Sequence, residues 1–214
     1  MIRIILVRHG ETNWNVEGRY QGQENTDLSP RGLEQGKLVG EALKDMPVDV
    51  YISSPLKRSF MTAEFCANHQ GKEVIADGRL TEINHGVWEG QLSTDISAEY
   101  PDMFHQWHTE PHLVQMPGEG GESLEDVRKR VREAFDEYVD TYDGKTVLVA
   151  AHDAVNKAII CDVLGLGMEH FWQIKQDNTC VNVLECDKGV WRLVLMNYTG
   201  HLGYVFSGIE QKGL

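Results

Sequence analysis

Residues Ile2 to Val7 form an unbroken apolar, largely β-branched run that stops at Arg8-His9-Gly10, the pattern of a strand covered on both faces. It predicts a central place in a sheet. Leu28-Ser29-Pro30 opens a helix with proline in its first turn, and Leu33, Gly36, Leu38, Val39, Ala42 and Leu43 recur near helical spacing to about Asp45. Val48 to Ile52 reads as a second strand. After Ser53-Ser54-Pro55 a helix carries Leu56, Phe60, Ala63, Phe65 and Ala67, and Glu73 to Ala76 is a third strand. Ser123 opens the clearest helix, with Leu124, Val127, Val131, Ala134, Phe135 and Tyr138 on one stripe and Ser123 with Asp126 as a capping pair. Thr146 to Ala151 is another apolar strand, ending at His152, and Val155 to Leu164 returns as a helix. Cys180 to Cys186 and Val190 to Met196, joined by Asp187-Lys188-Gly189, predict a hairpin.

Between Arg79 and Gly120 the periodicity fades, and Pro101, Pro111 and Pro117 interrupt any long helix. This segment, about 79–121, reads as an irregular lid excursion over one end of the sheet. The alternation of strand and helix elsewhere predicts a three-layer α/β/α sandwich with a mostly parallel central sheet. The 214 residues suit one domain, 1–214. In such sheets ligands bind beyond the carboxyl ends of the strands. Here two separate buried strands end in the same residue type, His9 and His152.

Composition narrows the chemistry. Twenty basic against thirty-three acidic residues leave a net charge of −13, a field that repels nucleic-acid phosphates and anionic lipid headgroups. Neither nucleic acid nor a membrane is an expected partner. A small anion remains an option if a few arginines hold it against that field. Cys66, Cys161, Cys180 and Cys186 lack a C-x-x-C spacing and read as buried thiols. The first apolar run is too short for a secretory signal and no stretch approaches eighteen apolar residues, so a cytoplasmic protein is expected. His105, His108 and His112 have metal-like spacings, but Pro111 breaks the helix that would align them, and no metal or other cofactor is expected. Gly118-Glu119-Gly120-Gly121 lacks the lysine and hydroxyl residue of a nucleotide-binding loop.

Arg8 precedes His9, and Arg58 lies early in the helix after the second strand, whose start opens toward the same sheet edge. Two guanidinium forks and two imidazoles can thus converge on one anion.

Leu6-Val7-Arg8-His9-Gly10-Glu11-Thr12, with Asn15 following, resembles the signature of the histidine phosphatase superfamily, the phosphoglycerate-mutase-like proteins. The resemblance continues in order through Asp27-Leu28-Ser29-Pro30-Arg31-Gly32, Ser53-Ser54-Pro55-Leu56-Lys57-Arg58, Glu82 to Gly90, Gly121-Glu122-Ser123 and Ala151-His152. It implies that His9 is the nucleophile that becomes a phosphohistidine, and that Arg8, Arg58 and His152 stabilise the phosphoryl oxygens. Glu82 would protonate the leaving alkoxide and then deprotonate the attacking water, with Trp88 supplying an apolar surrounding. Asn15, Gln21, Gly22, His85, Asp153 and His201 are the implied substrate-binding set.

One departure stands out: Asp153 follows His152, where the family commonly has glycine. A carboxylate about 5 Å from a phosphate dianion costs several kcal/mol even at an effective dielectric near 20. Asp153 is therefore expected to cap its helix, to point elsewhere, or to meet a cationic group on the substrate, such as the amine of phosphoserine.

The resemblance favours a metal-independent phosphatase acting on a small phosphorylated metabolite. The ending Asn197 to Gly203 is similar to metal-independent phosphoserine and α-ribazole phosphatases, while Ala154 to Ala158 is similar to plant and cyanobacterial sugar-phosphate phosphatases. A phosphoglycerate mutase is the runner-up, although the longer excursion of those isomerases is not seen. A non-catalytic phosphate-binding regulatory domain is the third reading. A homodimer is left open.

Overall fold

The computed structural model describes residues 1–205 and 207. Strand β1 (Ile2–Arg8) is followed by a five-residue helix α1 (Asn13–Glu17), then α2 (Pro30–Leu43), β2 (Val50–Ser53), α3 (Lys57–Ala67) and β3 (Val74–Ala76). Next come α4 (Ser93–Glu99), α5 (Pro101–Thr109), α6 (Leu124–Thr141), β4 (Thr146–Ala151), α7 (Asp153–Val163), β5 (Val181–Asp187) and β6 (Val190–Tyr198). The strands form one sheet in the order β3-β2-β4-β1-β5-β6. Its first four strands are parallel, and β5 and β6 run antiparallel as a hairpin.

Successive side chains of a strand point to opposite faces, so each buried strand feeds two cores. Ile4, Leu6, Val147 and Val149 face the stripe of α6, including Val131 and Phe135, together with Ala154 and Ala158 of α7. Ile5, Val7, Leu148 and Ala150 face Val39 of α2 and Ala63 of α3. This is the expected α/β/α sandwich with a mostly parallel central sheet, and β1 is central because it is apolar on both faces.

Helix α6 starts at the expected capping box: the Ser123 hydroxyl accepts from the Asp126 N–H, and the Asp126 carboxylate accepts from the Ser123 N–H at 2.9 Å. Two boundaries differ from the sequence reading. Helix α7 begins at Asp153, two residues before the first apolar position, because His152 takes the extended N-cap conformation. The stretch from 79 to 121 contains two helices rather than only irregular chain. Pro101 sits at the first position of α5, where its missing N–H costs nothing, so it starts a helix instead of breaking one.

Trp88 and Trp107 are fully buried there, each against other rings, and the Trp172 Nε1–H donates to the Trp107 carbonyl at 2.6 Å. His108 stacks on Trp172 with ring centroids 5.1 Å apart. All four cysteines are buried free thiols. Among the described residues no helix is long and apolar enough to cross a membrane.

Candidate active site

Strands β1 and β4 are parallel neighbours with Arg8 opposite Ala151, so the next residues, His9 and His152, leave the sheet side by side. Their ring centroids are 5.2 Å apart. The His9 Nδ1 lies 2.7 Å from the Gly10 carbonyl, which can only accept; Nδ1 therefore carries the proton, and in a neutral ring Nε2 presents its lone pair. Burial holds the His9 pKa well below its ordinary value, assisted by the nearby Arg58 and Arg8 guanidinium groups. The ring is thus neutral and correctly oriented to act as a nucleophile. Gly10 permits a tight passage, since a Cβ there would lie 2.6 Å from the Gly32 carbonyl oxygen.

Arg58, in the first turn of α3, is buried, and its terminal nitrogens donate to the carbonyls of Gly22 at 2.7 Å and Glu24 at 2.8 Å. Burial lowers its pKa to about 10, which leaves it cationic at neutral pH. Arg8 Nη1 donates to the Gln176 carbonyl at 2.5 Å. Neutral acceptors fix the Arg58 fork, while Arg8 also has Asp153 nearby at 3.6 Å. Among the described residues no carboxylate lies within ion-pair distance of Arg58, where Glu82 and Glu89 act only at longer range, and a buried cation so placed favours an incoming anion.

His152 Nε2 lies 2.8 Å from the Ser54 hydroxyl, and burial keeps this imidazole neutral as well. Four polar atoms of the cluster are buried with no hydrogen-bond partner among the described residues: Arg8 Nε, Arg58 Nε, Gln21 Nε2 and His152 Nδ1. Three of these are obligate donors. Buried donors left open are costly, and a group made only of acceptor oxygens would satisfy them.

Glu82 is fully buried. Its Oε1 accepts from the Ile83 N–H at 2.9 Å and from the Ala154 N–H, in the first turn of α7, at 3.2 Å. Burial raises its pKa, and the Asp153 carboxylate adds to the rise, while Arg58 and Arg8 oppose it. A buried carboxyl group whose pKa is raised beside two guanidinium groups suits acid–base work. Trp88 belongs to a ring cluster with Tyr20, Tyr100 and Phe104.

The remaining predicted residues fall in four situations. Gln21 and Gly22 border the cationic cluster: the Gln21 side-chain Oε1 accepts from the Thr12 and Thr26 hydroxyls, each at 2.8 Å, and Gly22 takes a positive φ of 50° while its carbonyl holds Arg58. Asn15 caps α1, and its Oδ1 lies 3.4 Å from the Asn178 amide nitrogen. His85 is buried against the Tyr20 and Trp107 rings, with Nδ1 3.5 Å from the Met116 sulfur and a pKa pushed down to about 3 by burial. His201 bonds to the Thr179 hydroxyl at 3.2 Å, and the Thr179 N–H in turn donates to the His9 carbonyl.

Asp153 turns toward cations of the chain itself: Lys157 Nζ lies 2.7 Å from Asp153 Oδ2, and Arg8 Nη1 lies 3.6 Å from Oδ1.

The segment from residue 4 to residue 199 matches the family model described as histidine phosphatase superfamily, branch 1. The chain belongs to the histidine phosphatase superfamily. It is 39% identical over 203 residues to phosphoserine phosphatase 1 of Hydrogenobacter thermophilus, covering 95% of each chain. Among solved structures it is similar to YhfR of Bacillus stearothermophilus, with a TM-score of 0.89 at 30% identity over 94% of this chain and 100% of that one. It also resembles an Entamoeba histolytica phosphoserine phosphatase solved as a mutant with phosphoserine, with a TM-score of 0.83 at 27% identity over 94% and 100% of the two chains. The protein is thus an enzyme of a metal-independent family, a hydrolase of the type that acts on small phosphomonoesters.

Several residues that shape the site of this histidine phosphatase escaped sequence reasoning. Ser54 looked like a loop residue feeding a helix, yet it holds His152. Gln176, Asn178 and Thr179 form a loop that grips Arg8 and the His9 carbonyl, and it lies between the last helix and the hairpin without any motif of its own. Thr179 takes a positive φ of 56°, rare for a β-branched residue. Lys157 was hidden in an ordinary helical stretch. Its spacing of one helical turn from Asp153 was the available signal.

Proposed function

We propose that this enzyme releases inorganic phosphate from small phosphomonoesters through a phosphohistidine on His9, with an amino-acid phosphate such as phosphoserine as the substrate. The observation that carries the reading is the His9 Nδ1 bond to the Gly10 carbonyl, which fixes a neutral ring with Nε2 as the free nucleophile among Arg8, Arg58 and His152. In the first step the Nε2 lone pair bonds to phosphorus, and the phosphorus–oxygen ester bond breaks with its electron pair going to the leaving oxygen. Glu82 gives that oxygen its proton. In the second step the Glu82 carboxylate takes a proton from water, the resulting hydroxide bonds to phosphorus, and the nitrogen–phosphorus bond breaks to restore His9.

Arg8 and Arg58 balance the charge spread over the equatorial oxygens, and Gln21 and His152 supply further polar contacts. Asn15, Gly22, His85 and His201 line or buttress the substrate pocket in this reading, and residues 79–121 act as its lid. Similarity to phosphoserine phosphatase 1 over nearly the full length of both chains supports the substrate class.

Incubation with a panel of phosphomonoesters in the presence of EDTA, reading released phosphate, tests the proposal. Release that is fastest from phosphoserine is expected. Conversion of 3-phosphoglycerate to its 2-isomer without release would establish the mutase instead, and no turnover of any ester would leave a binding domain.

A further inference from the structure

The phosphatase reading leaves one feature unexplained: a second buried carboxylate where phosphate is to bind. Asp153 is the first residue of α7, directly after His152, and its neighbour Ala154 holds Glu82. Taken alone, such a charge repels the dianion. One turn along the helix, Lys157 is 1% exposed, an unusual position for lysine, with its ammonium 2.7 Å from Asp153 Oδ2. The same ammonium lies 4.7 Å from the Phe171 ring centre and 4.6 Å from that of Trp172. Trp172 is itself tied to Trp107 and stacked on His108. The lysine is therefore boxed in, and its charge has a stated recipient.

We propose that Asp153 and Lys157 are a positioning pair, in which Asp153 stands beside the same Arg8 Nη1 that the Gln176 carbonyl holds, and Lys157 neutralises Asp153 so that Arg8 keeps its attraction for phosphate. The two arms of Asp153 fit this division: Oδ2 belongs to Lys157, and Oδ1 stands 3.6 Å from Arg8, too far for a direct hydrogen bond and near enough to orient the fork. Burial pulls the Lys157 pKa down and the Asp153 carboxylate opposes that shift, so the lysine's charge depends on its partner. If the lysine is removed, the Asp153 carboxylate loses the ammonium that neutralises it at 2.7 Å, and its charge then draws on Arg8 and repels the incoming dianion. The pair also removes Asp153 as a receptor for a substrate amine, since the chain's own ammonium already occupies it.

Titration calorimetry with inorganic phosphate reads this without turnover. The parental enzyme should bind phosphate, and a parental enzyme that binds none would defeat the phosphatase reading rather than the pair. Lys157→Met should weaken phosphate binding about tenfold or more, from an unbalanced carboxylate at short range. Lys157→Gln, which keeps a polar head in the box, should do the same if the first variant folds poorly. Adding Asp153→Asn to either variant should recover most of the lost affinity, because the offending charge is gone. A merely structural pair predicts the reverse, with the double variant as weak as or weaker than the single. That result, or single variants that bind phosphate as well as the parent, would overturn the proposal.

Discussion

Glu82→Gln keeps the shape of a buried side chain, preserves an oxygen for the Ile83 N–H and removes the one proton that the leaving group needs. A positioned general acid is worth about 10²- to 10⁴-fold in rate, roughly 3 to 5.5 kcal/mol of barrier. Two features of the structure favour a large effect. Its carboxyl is 1% exposed, so bulk water cannot substitute for it, and burial and Asp153 together raise its pKa. The assay compares an alkyl ester, phosphoserine, with an aryl ester, p-nitrophenyl phosphate, whose leaving group departs without protonation. Turnover of phosphoserine should fall about 10³-fold in the variant. The aryl ester should instead show a rapid burst of nitrophenolate followed by slow turnover, because the second step still lacks its base. For the parent, kcat/KM on phosphoserine should decline as pH rises through the elevated Glu82 pKa, and the variant should lose that limb. Equal losses on both esters without a burst would refute the role assigned to Glu82.

Three further outcomes are expected. His9→Ala should abolish release from every ester and should eliminate an acid-labile, base-stable phosphoprotein that rapid quenching detects in the parent; an adduct surviving in the variant would place the nucleophile elsewhere. Gly10→Ala puts a methyl group 2.6 Å from the Gly32 carbonyl oxygen, and overpacking of this kind costs about 1–3 kcal/mol, so the thermal midpoint should drop by several degrees; an unchanged midpoint would contradict the close approach. Burial depresses the pKa values of His9, His152, His85 (to about 3) and His201 (to about 4), whereas in the unfolded chain each titrates near 6.5. Protons then bind preferentially to the unfolded state as pH falls, so stability present at neutrality should be lost progressively below about pH 6.5, outweighing the opposite trend from Glu82 and Glu89. Urea unfolding at a series of pH values reads this, and stability that holds or rises toward pH 5 would count against neutral buried imidazoles.

The apolar runs reveal most of the scaffold because the sheet buries both faces of its inner strands, leaving no polar alternation to confuse the reading. Helix ends were less legible. At α7 the first two helical residues, Asp153 and Ala154, bind Lys157 and Glu82, contacts that lie outside any local periodicity. The segment around α4 and α5 misled for a different reason, since Pro101 signals a break when read without the geometry of a first turn. In the site, residues projecting straight from strand ends, His9 and His152, followed from sequence position. Ser54, Gln176 and Thr179 act through one or two hydrogen bonds to partners distant in the chain, and nothing in their own neighbourhoods advertises that.

The two imidazoles are separated by the width of one β-ladder step, so their spacing is a property of main-chain pairing rather than of any loop. A ruler made of backbone keeps its calibration when turns that carry none of the reacting groups are exchanged. Grafting those turns between related scaffolds should accordingly change which alcohol is accepted as the ester while leaving the bond-breaking machinery in tune.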